Sequence, residues 1–344
     1  MIAEDGLEMK ALLLVGGKGT RLHPVTYKLP KPMAPVVNRP FLEHILDWLR
    51  GHGVTDVILT THYLPDAIAD HFGDGSRHGV RLTCLQEEEP LGTGGAIKNA
   101  EHLLHDTFLV LNGDILTDID LSAMIAYHRD QGAQATLALT WVDDPTPFGA
   151  VETSPDGRIH CFREKPKPEE VTTHYINAGV YVFEPALFQE MPSGVFSVER
   201  DLYPRLVGKG VPLFGYHTQG YWLDIGTVEK YLQAHQDILD GKVPARVPGR
   251  QVTPGVWADR SALIDPRAIL EPPLVVGAGA QVGAGARVGS YSVLGDGSAV
   301  GEGAILNSSV VWPGSVVDPG AELADCVVAD QYLARADRTP TTTM

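Results

Sequence analysis

The sequence predicts an α/β protein in two parts, a doubly wound parallel sheet followed by a left-handed parallel β-helix of hexapeptide repeats. Three observations carry this. Strand and helix patterns alternate over roughly the first 110 residues, aliphatic residues recur at every sixth position from Ile264 to Leu306, and a glycine-rich turn with fixed cations follows the first strand.

The alternation runs as strand 10–15, helix 41–50, strand 56–61, helix 65–71, strand 80–86, helix 95–104 and strand 108–111. Helix 41–50 puts Phe41, Leu42, Ile45, Leu46 and Leu49 on one face, with Gly51 and Gly53 behind it as stop signals. From 135 to 224 strands outnumber helices, as in a mixed extension for a second substrate, and helix 228–239 ends at Gly241. Ile264, Leu270, Val276, Val282, Val288, Leu294, Val300 and Leu306 then share one six-residue frame, with glycine directly after five of them. Chance gives such a run a probability on the order of 10⁻⁴ if about a quarter of residues are aliphatic. The phase slips after Leu306 and apolar pairs continue at Val310, Val316 and Val327. The expected organisation is a disordered extension over 1–8, a catalytic domain over 9–243, a proline-rich linker over 244–255, a repeat domain over 256–338 and a frayed tail from 339.

A formal net charge of −16 argues against nucleic acid or an anionic membrane as partner, because the summed field repels both. A phosphate-bearing substrate must then meet locally concentrated cations. Cys84, Cys161 and Cys326 are odd in number and widely spaced, which points to reduced cytoplasm and to neither a disulfide framework nor a zinc site. No apolar run reaches the length of a membrane span, and the acidic start lacks the pattern of a signal peptide.

Residues 16–32 read Gly-Gly-Lys-Gly-Thr-Arg-Leu-His-Pro-Val-Thr-Tyr-Lys-Leu-Pro-Lys-Pro. Gly16, Gly17 and Gly19 let backbone N–H groups approach a phosphate, Thr20 follows them, and Arg21 and Lys31 supply fixed positive charge. The third glycine of the dinucleotide fingerprint is missing, and so is the Gly-Lys-Ser/Thr of a Walker loop. From Gly16 to Lys31 the stretch resembles the nucleotide-binding signature of the sugar-nucleotide pyrophosphorylases, without a gap. The resemblance covers roughly residues 10–239, and the repeats correspond to the tail of the longer members. It implies a Rossmann-like nucleotidyltransferase domain of the GT-A type.

Asp114, in Asn112-Gly113-Asp114, stands at a strand's carboxyl end, where open α/β sheets bind ligands, although such a tripeptide by itself is more often a turn. Asp224 ends a second strand before a helix capped by Thr227, where an acid also favours the helix dipole. Two carboxylates with substrate phosphate oxygens suit Mg²⁺, and the family's metal aspartates lie in matching motifs. Gln86, Pro90, Gly92 and Thr93 lie in or just before a strand-to-helix loop that reads equally as a helix N-terminus with Thr93 as cap and Glu87, Glu88 and Glu89 as solvated neighbours. The resemblance makes it the nucleobase loop. Its Glu-Pro-Leu-Gly-Thr form looks most like the guanylyl-transferring members, whereas a glutamine such as Gln86 also occurs in uridylyl and thymidylyl enzymes.

Glu164-Lys165-Pro166 resembles the family motif in which lysine holds the sugar phosphate and glutamate accepts from sugar hydroxyls. Gly149 and Asn177 match further sugar-side positions, and Glu199 completes the set. The family usually has tyrosine where Phe148 stands. The histidines, His23 and His217 included, show no metal-ligand spacing.

The resemblance implies transfer of a nucleotidyl group from an NTP to a hexose-1-phosphate with release of pyrophosphate, most like GTP and mannose-1-phosphate giving GDP-mannose. Arg21, Lys31 and Lys165 are then the catalytic cations. A uridylyl, thymidylyl or heptose-phosphate guanylyl transferase uses the same machinery. A catalytically silent regulatory homologue is disfavoured by the presence of Arg21, Lys31 and Asp114, and an acyltransferase in the repeats by the lack of any histidine after His235. The repeats are expected to assemble a homo-oligomer, since a short solenoid exposes its coil ends.

Overall fold

The computed structural model describes residues 9–17, 19–330, 332–336 and 341–342. The extension expected over 1–8 lies outside the described residues. The chain packs as two compact units, one joining the segment that ends at Gly17 to Ile45–Trp222, the other joining the segment that ends at His44 to the chain from Leu223 onward. These units divide the chain differently from the sequence-based segments, because the stretch bearing Arg21 and Lys31 groups with the C-terminal part.

The first unit is built on a nine-stranded sheet. Its parallel half runs Phe108–Asn112, Lys10–Leu14, Asp56–Thr61, Arg81–Gln86. Ala11, Leu12 and Leu13 are fully buried, as expected for a strand covered on both faces. Beyond Phe108–Asn112 the sheet turns antiparallel through Tyr175–Phe183, which also pairs with Ala135–Trp141. The core packs Leu12, Val110, Leu137, Tyr181, Phe183 and Tyr203 together. The helix expected at 95–104 is instead Gly92–Asn99 followed by a single 3₁₀ turn at Glu101–Leu103. It starts early because the Gly94 and Gly95 amides both donate to the Phe196 carbonyl, at 3.0 and 3.4 Å, so tertiary bonding overrides the low helix propensity of glycine.

In the second unit the six-residue frame becomes a parallel β-helix with three faces. Ile264, Val282, Val300 and Val317 stack in register on one face, and Leu270, Val288, Leu306 and Leu323 on another. The third face stacks Val276, Leu294, Val311 and Val328. All but Ile264 and Leu270 are buried. The phase slip is a corner one residue short between Leu306 and Val311, where Ser308 takes φ +45°. Stacking resumes past it, so each face carries the frame through at least four stacked layers among the described residues. Glycine follows the frame because the coils approach closely: a Cβ on Gly301 would stand 2.4 Å from the Pro319 nitrogen of the next coil. On one face the ends are closed by antiparallel strands, Arg250–Thr253 against Val256–Ala258 and Tyr332–Arg335 against Cys326–Ala329. The first of these lies within the expected linker. Thr341–Thr342 pairs with Tyr332–Arg335, so the described part of the expected frayed tail is a strand.

Helix Val228–Leu239, capped by the Thr227 hydroxyl accepting from the Lys230 amide, packs within this unit against residues 35–38. The Val37 amide donates to His235 Nδ1 at 3.2 Å, and Asn38 Nδ2 donates to the Leu294 carbonyl at 2.7 Å. Burial, with His44 nearby, pushes His235 down to about 3. An unfolded chain protonates this imidazole below about 6.5 while the folded chain does not, so stability falls as pH drops from about 6.5 toward 3, by up to about 1.4 kcal/mol per pH unit. The thermal midpoint should therefore fall steadily from pH 7 to pH 5. In His235→Gln that slope should be shallower by about one proton in differential scanning calorimetry, and an unchanged slope would refute the assignment.

Candidate active site

The first strand, Lys10–Leu14, pairs with Asp56–Thr61 on one side and Phe108–Asn112 on the other, so the strand order reverses beside it. Open α/β sheets bind ligands outside the strand carboxyl ends at such a switch point. Leu14 lies opposite Asn112, the Gly113 amide donates to the Leu14 carbonyl at 3.0 Å, and a Cβ on Gly113 would stand 2.4 Å from Val15 Cγ1. Only glycine permits this approach, and it delivers the half-buried Asp114 beside the point where the chain leaves the strand at Gly16 and Gly17. Gly17 has open space where a Cβ would be.

Glu164, Lys165, Gly149 and Asn177 are placed by adjacent antiparallel strands of the same unit. A Cβ on Gly149 would lie 3.0 Å from Glu164 Oε2, so the glycine makes room for that carboxylate. Burial, reinforced by the like charge of Glu199, raises Glu164 above the usual carboxylate range. Lys165 is exposed and takes φ +50°, a strained conformation for a side-chain-bearing residue, held by its amide donating to the Phe148 carbonyl at 2.9 Å. Asn177 spends both polar atoms locally: Nδ2 donates to the Tyr181 hydroxyl at 2.9 Å and Oδ1 accepts from the Gly179 amide at 3.1 Å. Phe148 meets Trp222 edge-on at 5.4 Å, and the Trp222 indole donates to the Ala178 carbonyl at 2.8 Å.

Gln86 and Pro90 are exposed at the strand-to-helix loop. Thr93 is not the helix cap, since the helix begins at Gly92 behind Leu91. Its hydroxyl donates to Glu199 Oε2 at 2.7 Å and accepts from the Val198 amide at 3.0 Å, tying the loop to a turn of π-helix at Val198–Leu202. Gly92 has φ +71° and a Cβ there would stand 2.6 Å from the Phe196 carbonyl oxygen, so packing also accounts for glycine here. Glu87 is not a solvated neighbour. It is buried, accepts from the Leu91 amide at 3.3 Å, and burial raises its pKa.

The second unit holds Gly19, Thr20, Arg21, Lys31 and Asp224. Gly19 adopts φ +60°, and a Cβ on it would come within 3.1 Å of Lys31 Cβ. Lys31 is buried, with Nζ 3.9 Å from Asp224 Oδ1, while the exposed Arg21 guanidinium lies 3.6 Å from Asp224 Oδ2. A Cβ on Gly226 would strike the Arg21 guanidinium. Two cations thus converge on one carboxylate, which concentrates positive charge at this point of the chain. Sequence reasoning missed the commitment of Thr93 and Asn177 to internal bonds, the Trp222 contact and the burial of Glu87. Only the glycines around these positions signalled close packing.

The nucleotidyl transferase family matches residues 10–241, and the chain belongs to that family. It is 43% identical over 241 residues to the mannose-1-phosphate guanylyltransferase of Mycobacterium tuberculosis (strain ATCC 25618 / H37Rv), covering 69% of this chain and 67% of that protein. The UTP–glucose-1-phosphate uridylyltransferase of Synechocystis is 37% identical over 265 residues, covering 72% of this chain and 68% of that protein. Among solved structures, HddC from Yersinia pseudotuberculosis is 31% identical with a TM-score of 0.59, covering 67% of this chain and 99% of that one. Another structure of HddC is in complex with GMP-PN. No helix among the described residues is long and apolar enough to cross a membrane.

Gly113→Ala should lower the thermal midpoint by several degrees in differential scanning calorimetry, because the added Cβ strikes Val15 Cγ1 and the Leu14 carbonyl and the close approach of the strand ends is lost. An unaltered midpoint would contradict the close packing at Gly113.

Proposed function

We propose that this nucleotidyltransferase joins GTP to mannose-1-phosphate, giving GDP-mannose and pyrophosphate. The observation that carries the choice is the 43% identity to the Mycobacterium tuberculosis mannose-1-phosphate guanylyltransferase. Probable or named mannose-1-phosphate guanylyltransferases of Oryza sativa and Arabidopsis thaliana, at 35% and 34%, support it. The 37% identity to the Synechocystis enzyme favours a second reading, UTP with glucose-1-phosphate. We place the reaction in the cytoplasm, with residues 9–243 as the catalytic domain.

A phosphate oxygen of the sugar-1-phosphate attacks the α-phosphorus in line, one P–O bond forms as the bond to pyrophosphate breaks, and pyrophosphate carries off the electron pair. The nucleophile is already anionic near neutral pH, so no general base is needed. Catalysis then reduces to positioning and charge neutralisation. Arg21 neutralises the leaving pyrophosphate, Lys31 steadies charge developing between the phosphates, and Lys165 holds the sugar phosphate. Glu164 accepts from sugar hydroxyls, with Gly149 and Asn177 shaping that pocket. Gly16, Gly17, Gly19 and Thr20 offer backbone to the triphosphate, and Gln86, Pro90, Gly92 and Thr93 form the base loop. Asp114 and Asp224 offer only carboxylate oxygens, the donor set magnesium prefers, and would hold Mg²⁺, which supplies charge neutralisation at the α-phosphate.

Pyrophosphate release measured across GTP, UTP, dTTP, ATP and CTP with mannose-1-phosphate and glucose-1-phosphate tests the substrate choice. The GTP and mannose-1-phosphate pair should have the highest kcat/KM, and a higher value for UTP with glucose-1-phosphate would replace it with the second reading. Arg21→Ala and Lys31→Ala should each lower kcat by about 10² or more. Near-normal turnover in both would sink the cation roles, and activity indifferent to EDTA would sink the metal.

We also propose that the solenoid assembles copies of the chain. One sheet presents an uncharged ladder of Leu263, Gln281, Ala299 and Val316 in register, with Leu263 64% and Val316 56% exposed, in a chain with 70 charged side chains out of 344 residues. Leu263→Lys with Val316→Lys should lower the native mass in light scattering, and an unchanged mass, or a wild-type monomer at micromolar concentration, would contradict assembly through this face.

A further inference from the structure

Residues 19–34 contain three 3₁₀ turns, Thr20–Leu22, Val25–Tyr27 and Lys31–Met33, and no strand, so neighbours must fix the course of the segment. Its fixing points lie on either side of Lys31. Upstream, Lys28 Nζ donates to Asp330 Oδ2 at 2.6 Å and the Tyr27 ring meets the Tyr332 ring edge-on at 5.7 Å. Asp330 itself sits at φ +54° just past the strand Cys326–Ala329, with its amide donating to the Ser315 hydroxyl at 2.8 Å, so the solenoid aims this carboxylate. Downstream, the buried Tyr231 hydroxyl donates to the Pro35 carbonyl and accepts from the Trp312 indole at 3.0 Å. Each fixing point traces to a solenoid residue, Asp330 and Tyr332 at its last coil and Trp312 one coil earlier.

We propose that the β-helix is a positioning element for the catalytic cations, with Asp330, Tyr332 and Trp312 holding the segment that carries Arg21 and Lys31 through Lys28, Tyr27 and Tyr231. It rests on the reading of Arg21 and Lys31 as the cations that meet phosphate charge. A cation stabilises a transition state most when it is held in place beforehand, because no reorganisation is then needed as charge develops. Loosening the segment should therefore act on turnover. Binding of the sugar phosphate, assigned to Glu164 and Lys165 in the other unit, should be spared. The role is distinct from assembly, since none of these residues belongs to the exposed ladder of Leu263 and Val316.

The test uses the full-length chain with Lys28→Asp, Asp330→Lys, their double exchange, Tyr231→Phe and Trp312→Phe, with Arg21→Ala and Lys31→Ala alongside. Each single exchange at 28 and 330 should lower kcat for pyrophosphate release about tenfold while leaving the KM for mannose-1-phosphate within about twofold. The double exchange should recover kcat to within about threefold of the unaltered protein, because the ion pair is rebuilt with reversed polarity. Tyr231→Phe and Trp312→Phe should show the same split between kcat and KM. Full turnover in the single exchanges, or a double exchange as slow as either single, overturns the proposal, and these surface variants leave the core intact. If Arg21→Ala and Lys31→Ala turn over normally, the cation reading has failed. If those two are slow while the exchanges at 28 and 330 run at full rate, only the bracing by the solenoid has failed.

Discussion

A lysine ammonium with little access to water needs a carboxylate, and the second unit is organised around meeting that need. Lys31 is 8% exposed, and Asp224 lies 3.9 Å away from its ammonium and 3.6 Å from Arg21. Gly19 must be glycine so that the chain can double back over Lys31, and Gly226 must lack a side chain for the Arg21 guanidinium to lie over it. Helix Val228–Leu239 follows directly, and its Tyr231 and His235 bond the backbone at Pro35 and Val37. In a chain with net charge −16 this concentrates positive charge at one place.

The first unit solves a different problem, that of bringing a carboxylate to the end of a fully buried strand. Pairing of Leu14 with Asn112 sets the position, and the missing side chain of Gly113 sets the distance. On the antiparallel side the strained backbone of Lys165 and the burial of Glu164 beside Glu199 mark the second place where the fold accepts a local cost. Thr93 ties its own loop to Glu199, the carboxylate whose charge bears on Glu164, so the strand-to-helix loop is fixed beside this pair of acids.

The alternation of strands and helices and the six-residue frame are legible because each rests on a short repeat of apolar residues, and both are present, with the helix expected at 95–104 displaced to Gly92–Asn99. What the frame could not disclose is that its slip after Leu306 is one residue lost at a corner, after which Val311, Val317 and Leu323 stack as before. Nor could it disclose that antiparallel strands close one face of the solenoid at both ends, since strand pairing between distant segments leaves no local pattern. The helix beginning at Gly92 was misplaced for a similar reason: its glycines are fixed by the Phe196 carbonyl, about a hundred residues away.

By itself the sequence determined the chemistry. The order of glycines, Arg21 and Lys31 and the Glu164-Lys165 pair are covalent facts, and together they carry the resemblance to the family that residues 10–241 match. Tertiary structure alone decided which of these groups are held and by what. Whether Asn177 and Thr93 face inward, whether Glu87 is dry, and whether the segment of Lys31 rests on Tyr231, Trp312 and Asp330 depend on contacts between residues tens to hundreds of positions apart. Such contacts arise from the summed burial and hydrogen bonding of the whole fold, and no window of the sequence contains them.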